Sequence, residues 1–516
     1  MQGPCINIPL LGLGCYPRQH MHATYTTLPN NMSSHLQHLR LLYHRAANTL
    51  ILRIAIATTL AGAVLTKVTQ GVVSAHQIVP QSSAICPIHL FLVVVLFIVT
   101  ATFYLALRPR TVYLVDYACF VASSKFRYPK ATLLEHAHLS PLLDDSTTNF
   151  IATILERSGM SDQTYVPPIL SYIEPYCGLD EARAEAELIM FPVIDELFAK
   201  TCINRDAIRV LITNSSGFSP VPSNADMIVN RYKLRSDIRL MNLSGMACTA
   251  SVTAVGIASN MLQVIPWGSY ALVVSTEIIG PLYYAGNMRS MQLSNILFRM
   301  GSAAKLLSTS RSKARFRLEH LARTITAAND AAYRCVYQEE DEKGNFGTAL
   351  SKDLMGVAGD ALKANITVTG PLVLPGSELL RVLLYRMAKK VIGSRRARQS
   401  IPNFCLAFEH FCIHVGGPAV ITSVQHGLNL SDKNVEASRM TLHRFGNQLS
   451  ASVWYELAYI EAKGQMKKGN RVWMIGFGAG YECNTIGWMC IQPSSGAHGP
   501  WASCIHRYPV DVSNKV

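Results

Sequence analysis

The sequence has no Cys-x-x-Cys pair, and its thirteen cysteines fall at irregular spacings. Such scatter excludes a disulfide framework and points to a reducing compartment. No zinc finger, RNA-binding signature or basic stripe interleaved with aromatics is present, which argues against a nucleic-acid partner. The first 46 residues lack the apolar core and small-residue cleavage site of a secretory signal and read as a mobile tail. Acidic residues are scarce, 33 against 47 lysines and arginines, so the formal net charge is +14. That excess favours anionic partners such as acidic lipid or a nucleotide phosphate. What the chain has in quantity is apolar residue, 49% of the total, enough to suggest membrane segments.

Two such segments are expected within residues 47–107. Ala47 to Thr66 is apolar apart from Arg53, and Leu90 to Leu107 is eighteen residues without a charge, long enough to span when extended back to Ala84. Arg40 and Arg45 precede the pair; Arg108, Arg110, Lys125, Arg127 and Lys130 follow it. Both ends of a helical hairpin would therefore face the cytoplasm. Beyond Arg110 strand and helix patterns alternate, which indicates an α/β fold with covered sheets. Val210 to Asn214, Tyr270 to Thr276 and Arg471 to Phe477 read as strands, and Glu181 to Lys200 as a helix kinked at Pro192. The charged stretch Arg334 to Asp353 and the basic run Lys389, Lys390, Arg395, Arg396, Arg398 read as surface connections.

Chemistry centres on Asn242-Leu-Ser-Gly-Met-Ala-Cys248, where a cysteine precedes an almost uncharged helical pattern. A helix amino end stabilises a thiolate, so a lowered thiol pKa is expected there, although most free cysteines are only small buried hydrophobes. Ala407-Phe-Glu-His-Phe-Cys-Ile-His-Val-Gly-Gly417 places His410 and His414 four apart, hence on one face of an expected helix that the glycine pair ends. Satisfied core histidines fit that spacing as well; half of a zinc site fits poorly, because the glutamate of H-E-x-x-H is missing. Thr441-Leu-His-Arg-Phe-Gly-Asn447 adds His443 and Asn447, and Gly476-Phe-Gly-Ala-Gly480 offers bare backbone N–H groups of the kind an oxyanion hole uses. Cys, His and Asn in that order fit a papain-like protease or a decarboxylating condensing enzyme. The protease's local Cys signature is absent, and neutral His and Asn donors suit a developing malonyl enolate.

The blocks Asn242 to Cys248, Phe298-Arg-Met-Gly-Ser-Ala-Ala304, Phe408 to His414, Ser438 to Asn447 and Trp454-Tyr-Glu-Leu-Ala-Tyr459 together strongly resemble the plant 3-ketoacyl-CoA synthases. The resemblance implies a thiolase-like fold of two related halves, residues 108–370 with the cysteine and 371–516 with His and Asn. It implies an anchor in the endoplasmic reticulum membrane with the catalytic part in the cytosol, long-chain acyl-CoA and malonyl-CoA as substrates, and no metal or cofactor. A homodimer and contact with other elongase subunits are further expectations. By motif, Cys248 is the acylated nucleophile, His414 and Asn447 complete the triad, His410 and His443 support it, and Gly478 or Gly480 serves the oxyanion hole. The chain departs from the family at Arg323-Thr-Ile-Thr-Ala-Ala-Asn-Asp330, where Ile325 stands at a usual histidine, and at Pro192 and Gly256. An isoleucine carries no proton. That departure raises the alternative of a catalytically weak homologue that binds and regulates an active synthase; a type III polyketide synthase is a third reading, disfavoured by the membrane hairpin.

Overall fold

A computed structural model describes residues 94–102, 108–392, 401–494, 496 and 499–512. Two compact units are present, Met1–Arg108 and Pro109–Val516. Of the first, a helix over 94–102 is described, with Val94, Leu96, Ile98 and Val99 exposed. No helix among the described residues is long and apolar enough to cross a membrane. The expected tail, the first expected span and most of the second lie outside the described residues.

The second unit is built on a nine-stranded sheet of order β3-β2-β4-β5-β1-β6-β11-β10-β9. The strands are β1 (Tyr113–Cys119), β2 (Ile208–Asn214), β3 (Arg239–Leu243), β4 (Tyr270–Thr276), β5 (Ser302–Ser308), β6 (Phe316–Ile325), β9 (His410–Ile413), β10 (Arg471–Gly478) and β11 (Glu482–Cys490). Parallel pairs lie on the outside, β3 with β2, β2 with β4, and β9 with β10. Antiparallel pairs fill the middle, and the two sides meet where β1 pairs β6. β6 precedes residue 370 yet belongs to the His and Asn side, so a cut of the chain at that residue does not divide the sheet into its two sides.

Of the parallel strands, β2, β4, β9 and β10 are largely apolar runs because both their faces are covered, whereas β3 at the edge carries Arg239 and Asn242 and buries no residue. On the β2 and β4 side the cover is the helix Leu179–Thr201, whose Ile189, Met190, Val193, Ile194 and Leu197 are fully buried. Pro192 lies inside this helix. On the β9 and β10 side it is the helices Leu354–Val373 and Pro418–Leu428. Between them a central core holds the helices Ala250–Gln263 and Ser452–Ala462. The former buries Val252, Ala254, Val255, Ala258 and Leu262, so its face toward each neighbour is apolar. Gly256 is there for close approach: a Cβ would stand 2.9 Å from Leu321 Cδ1.

The charged stretch Arg334 to Asp353 is not merely a connection. It contains a hairpin of β7 (Val336–Glu340) and β8 (Phe346–Leu350), turning through Asp341, whose carboxylate accepts the N–H groups of Lys343 and Asn345 at 2.9 Å.

Lys305, on β5, is fully buried and has no carboxylate partner among the described residues. Its Nζ donates to Ala303 O at 3.1 Å and reaches the hydroxyls of Ser251 and Ser275, and it lies 5.3 Å from the Trp454 ring. Burial pushes its pKa well below the ordinary lysine value. The unfolded chain then binds more protons than the folded one, so stability should rise with pH up to about 10.4, the unfolded lysine value. Lys305→Met is expected to raise stability at pH 7 by about 1–3 kcal/mol and to flatten that rise, read from thermal melts at pH 7 and pH 9.5.

Candidate active site

One cavity of about 530 Å³ collects the candidate residues: Cys248, His414, Asn447, Gly478 and Gly480 all border it. Its size falls in the range of about 300–1,000 Å³ usual for ligand sites.

Cys248 follows β3 in a tight turn, Ala247–Thr249, that leads into the helix Ala250–Gln263. Ala247 sits at φ +48°, a left-handed conformation that costs energy for any residue with a Cβ. The turn is held by Ala247 N–H donating to Ser216 Oγ at 2.9 Å. Opposite, the end of β10 presses so close that a Cβ on Gly478 would lie 2.4 Å from Met246 O and from Thr249 Cγ2. Only glycine fits there, and Gly480 takes φ +66° two residues later.

The expected lowering of the Cys248 pKa is overturned. Burial first, and then the nearby Glu277 carboxylate, push the thiol up, outweighing the bond that its own backbone N–H gives the sulfur. The helix proper begins two residues later, at Ala250, and its partial charge meets a desolvated sulfur facing a carboxylate. Glu277 follows β4 and borders the same cavity. One of its oxygens accepts from Ser215 Oγ at 3.0 Å, Ser216 N–H at 2.6 Å and Gly217 N–H; the other is buried without a partner. Burial raises its pKa to about 7. The loop it begins is held from the Leu179–Thr201 helix by Glu185, which accepts Ile279 N–H at 2.8 Å and Gly280 N–H at 2.9 Å.

His414 does not lie on a helix. It directly follows β9 and extends the pairing with β10, its N–H donating to Ile475 O at 2.9 Å. The strand rises about 3.3 Å per residue, so His410, at its start, is carried away from the cavity and bonds Asn470 Oδ1 at 3.3 Å instead. His443, on the helix Glu436–Phe445, likewise lies off the cavity, with Nδ1 3.3 Å from the Tyr508 hydroxyl. Burial pushes the His414 pKa down to about 4, so the ring is neutral at physiological pH. Its Nδ1 is buried without a partner. An orphaned lone pair costs less than an orphaned N–H, which places the proton on Nε2.

Asn447 sits past the Glu436–Phe445 helix, beyond Gly446 at φ +73°. Its backbone is clamped to the chain before β5: its N–H donates to Leu297 O at 3.1 Å, and its carbonyl accepts Arg299 N–H at 2.8 Å. The side-chain Oδ1 accepts Leu449 N–H at 2.8 Å, which leaves the amide NH₂ as the donor. The cavity therefore joins a sulfur to two neutral donors, a set able to hold a thioester and to polarise the carbonyl of a second one. Ile325, at the end of β6, borders this cavity with 67% of its surface open, at the rim rather than on the buried floor.

Residues 104–391 match the family model described as FAE1/type III polyketide synthase-like protein, and 407–488 match the C-terminal model of 3-oxoacyl-[acyl-carrier-protein] synthase III. The chain is 50% identical over 420 residues to 3-ketoacyl-CoA synthase 6 of Arabidopsis thaliana, covering 81% of this chain and 84% of that one. With 3-ketoacyl-CoA synthase 5 of the same plant it shares 49% over 425 residues, 82% and 86% of the two chains. Among solved structures, the tetrahydroxynaphthalene synthase of Streptomyces coelicolor A3(2), a type III polyketide synthase, superposes with TM-score 0.59 at 19% identity, over 74% of this chain and all of that one. A fungal type III polyketide synthase gives 0.57 at 15%, over 73% and 99%. These two show the thiolase-like fold.

If Glu277 opposes ionisation of the thiol, Glu277→Gln keeps the acceptor for the Ser216 and Gly217 N–H groups but removes the charge. Alkylation of Cys248 by iodoacetamide at pH 8, followed by mass spectrometry, should speed up roughly tenfold for each pKa unit released; an unchanged rate would leave burial as the whole cause.

Proposed function

The chain belongs to the 3-ketoacyl-CoA synthase family and is a condensing acyltransferase of very-long-chain fatty acid elongation; we propose that Cys248, His414 and Asn447 carry its reaction. The observation that supports this assignment is the meeting of all three on one cavity beside Gly478 and Gly480.

At rest both partners are neutral, the thiol because its pKa is held up and the imidazole because its pKa is held down. Attack of the sulfur on the carbonyl of a long-chain acyl-CoA forms the thioester as the bond to CoA breaks, and the thiol proton ends on the departing CoA sulfur; His414, already protonated on Nε2, acts as a donor and not as the base. The oxyanion formed on the way is met by the backbone N–H of Cys248 and of Gly478 or Gly480. Malonyl-CoA then binds with its thioester oxygen between His414 Nε2–H and the Asn447 NH₂. Carbon dioxide leaves, the enolate held by those donors attacks the Cys248 thioester, and 3-ketoacyl-CoA forms as Cys248 departs as a thiolate that takes a proton from solvent to return to the thiol. A charged imidazolium would hold the malonyl carboxylate as a salt bridge; a neutral one lets it go.

Ile325 touches the rim, so its lack of a proton removes nothing from these steps, and the departure gives no ground for an inactive regulator. The same reading includes an N-terminal anchor in the endoplasmic reticulum membrane with the catalytic unit in the cytosol, a homodimer, and contact with other elongase subunits. It is supported by the apolar segments before residue 108 and the basic residues that flank them.

Microsomes carrying the chain, given radiolabelled malonyl-CoA and acyl-CoAs of graded length, should form 3-ketoacyl-CoA, and Cys248→Ala should abolish it. Product at no length, or an aromatic ring product, contradicts the reading. Asn447→Asp should lower condensation by about 10²–10³-fold while acylation of Cys248 persists, because the new carboxylate repels malonyl and enolate but not the acyl chain.

A further inference from the structure

We infer that the helix Gly376–Ile392 is a second membrane contact of the catalytic unit, laid on an anionic bilayer surface by its uncovered apolar face. One face of this helix is turned inward. Leu379 packs on the core that contains Phe404 and Trp473, and Glu378 is buried, accepting Asn403 N–H at 2.8 Å and binding Arg381. The other face carries Leu380, Leu383, Leu384 and Met387, each more than half exposed. Their spacing of three and four residues sets them in one stripe along the helix. Four large apolar side chains in a continuous stripe are unusual for a surface bathed in water, and such stripes mark a contact.

Charge selects the occupant. Along this helix beyond Arg381, which is paired with Glu378, the sequence holds Arg386, Lys389 and Lys390 and no carboxylate. An apolar stripe continued by a run of cations is the pattern of a helix lying in the interface of an acidic membrane, its leucines among the acyl chains and its cations at the headgroups. A second copy of the chain is the poorer fit, because a two-fold contact sets the same patch against itself and opposes two such runs. This contact is separate from the N-terminal anchor: it concerns how the folded catalytic unit meets lipid, and it holds or fails whether or not the chain is also tethered.

The test uses the full chain in proteoliposomes with Leu383→Trp, read against the wild type's five tryptophans. Vesicles contain either phosphatidylcholine alone or phosphatidylcholine with phosphatidylserine, each with and without brominated acyl chains. The added tryptophan should emit at shorter wavelength and lose intensity to the brominated chains, more with phosphatidylserine present and less as salt is raised. Retained condensing activity shows that the variant folds. Co-flotation with vesicles but no quenching at position 383 would leave the anchor standing and overturn the contact. Protection that grows with protein density and ignores the brominated lipid would overturn it in favour of a second copy.

Discussion

The arrangement depends on two buried hydrogen bonds that fasten the nucleophile helix to the other side of the molecule. Ser251 Oγ accepts Trp454 Nε1–H at 2.7 Å, and Thr253 Oγ1 accepts from Asn484 Nδ2 at 3.0 Å. Ser251 lies three residues after Cys248; Trp454 lies seven after Asn447; Asn484 is on β11. In an apolar core each bond is costly to leave unmade, so the two sides have few other ways to pack. A third tie, from Asn214 Nδ2 to Ser450 Oγ at 2.8 Å, secures the end of β2 to the turn after Asn447. Glu456 completes the set by accepting Ile413 N–H at 2.7 Å, one residue before His414. Sulfur, amide and imidazole thus come from distant parts of the sequence but share one rigid frame.

That frame explains the electrostatics. Groups held in an apolar core lose water, and each ionisable one moves toward its neutral form: Cys248 and Glu277 upward, His414 downward. For a reaction that must expel carbon dioxide from a malonyl group, a neutral pocket is the useful one. The malonyl carboxylate brings its charge with it, and loss of carbon dioxide moves that charge to the enolate oxygen, where the Nε2–H and NH₂ donors meet it. The shifts carry a stability cost for the carboxylate: Glu277 favours folding below its unfolded pKa, and that contribution is lost as pH rises through about 7.

Much of this was legible in the residues. The strand Tyr270–Thr276 matches its apolar run end for end, and the cysteine, the His-Val-Gly-Gly run and the Gly-Asn pair were found as motifs before any geometry. The four-residue strand His410–Ile413 was misread as helix because so short an apolar run shows no period that separates the two. His410, expected by motif to support the triad, stands at the start of this strand and bonds Asn470 instead. Glu277 was missed, although a lone carboxylate directly after a buried strand was its visible sign. Ionisation was the least legible property: a cysteine ahead of a helix suggests a thiolate, and only burial, which spacing does not reveal, reverses the sign.

The central claim is tested most directly by following an acyl group through the site. The chain is mixed with radiolabelled long-chain acyl-CoA, digested and mapped, before and after addition of malonyl-CoA. The label should sit on the peptide bearing Cys248 and leave it as 3-ketoacyl-CoA in step with release of carbon dioxide. Label on another residue, or label on Cys248 that malonyl-CoA does not discharge, would contradict the account.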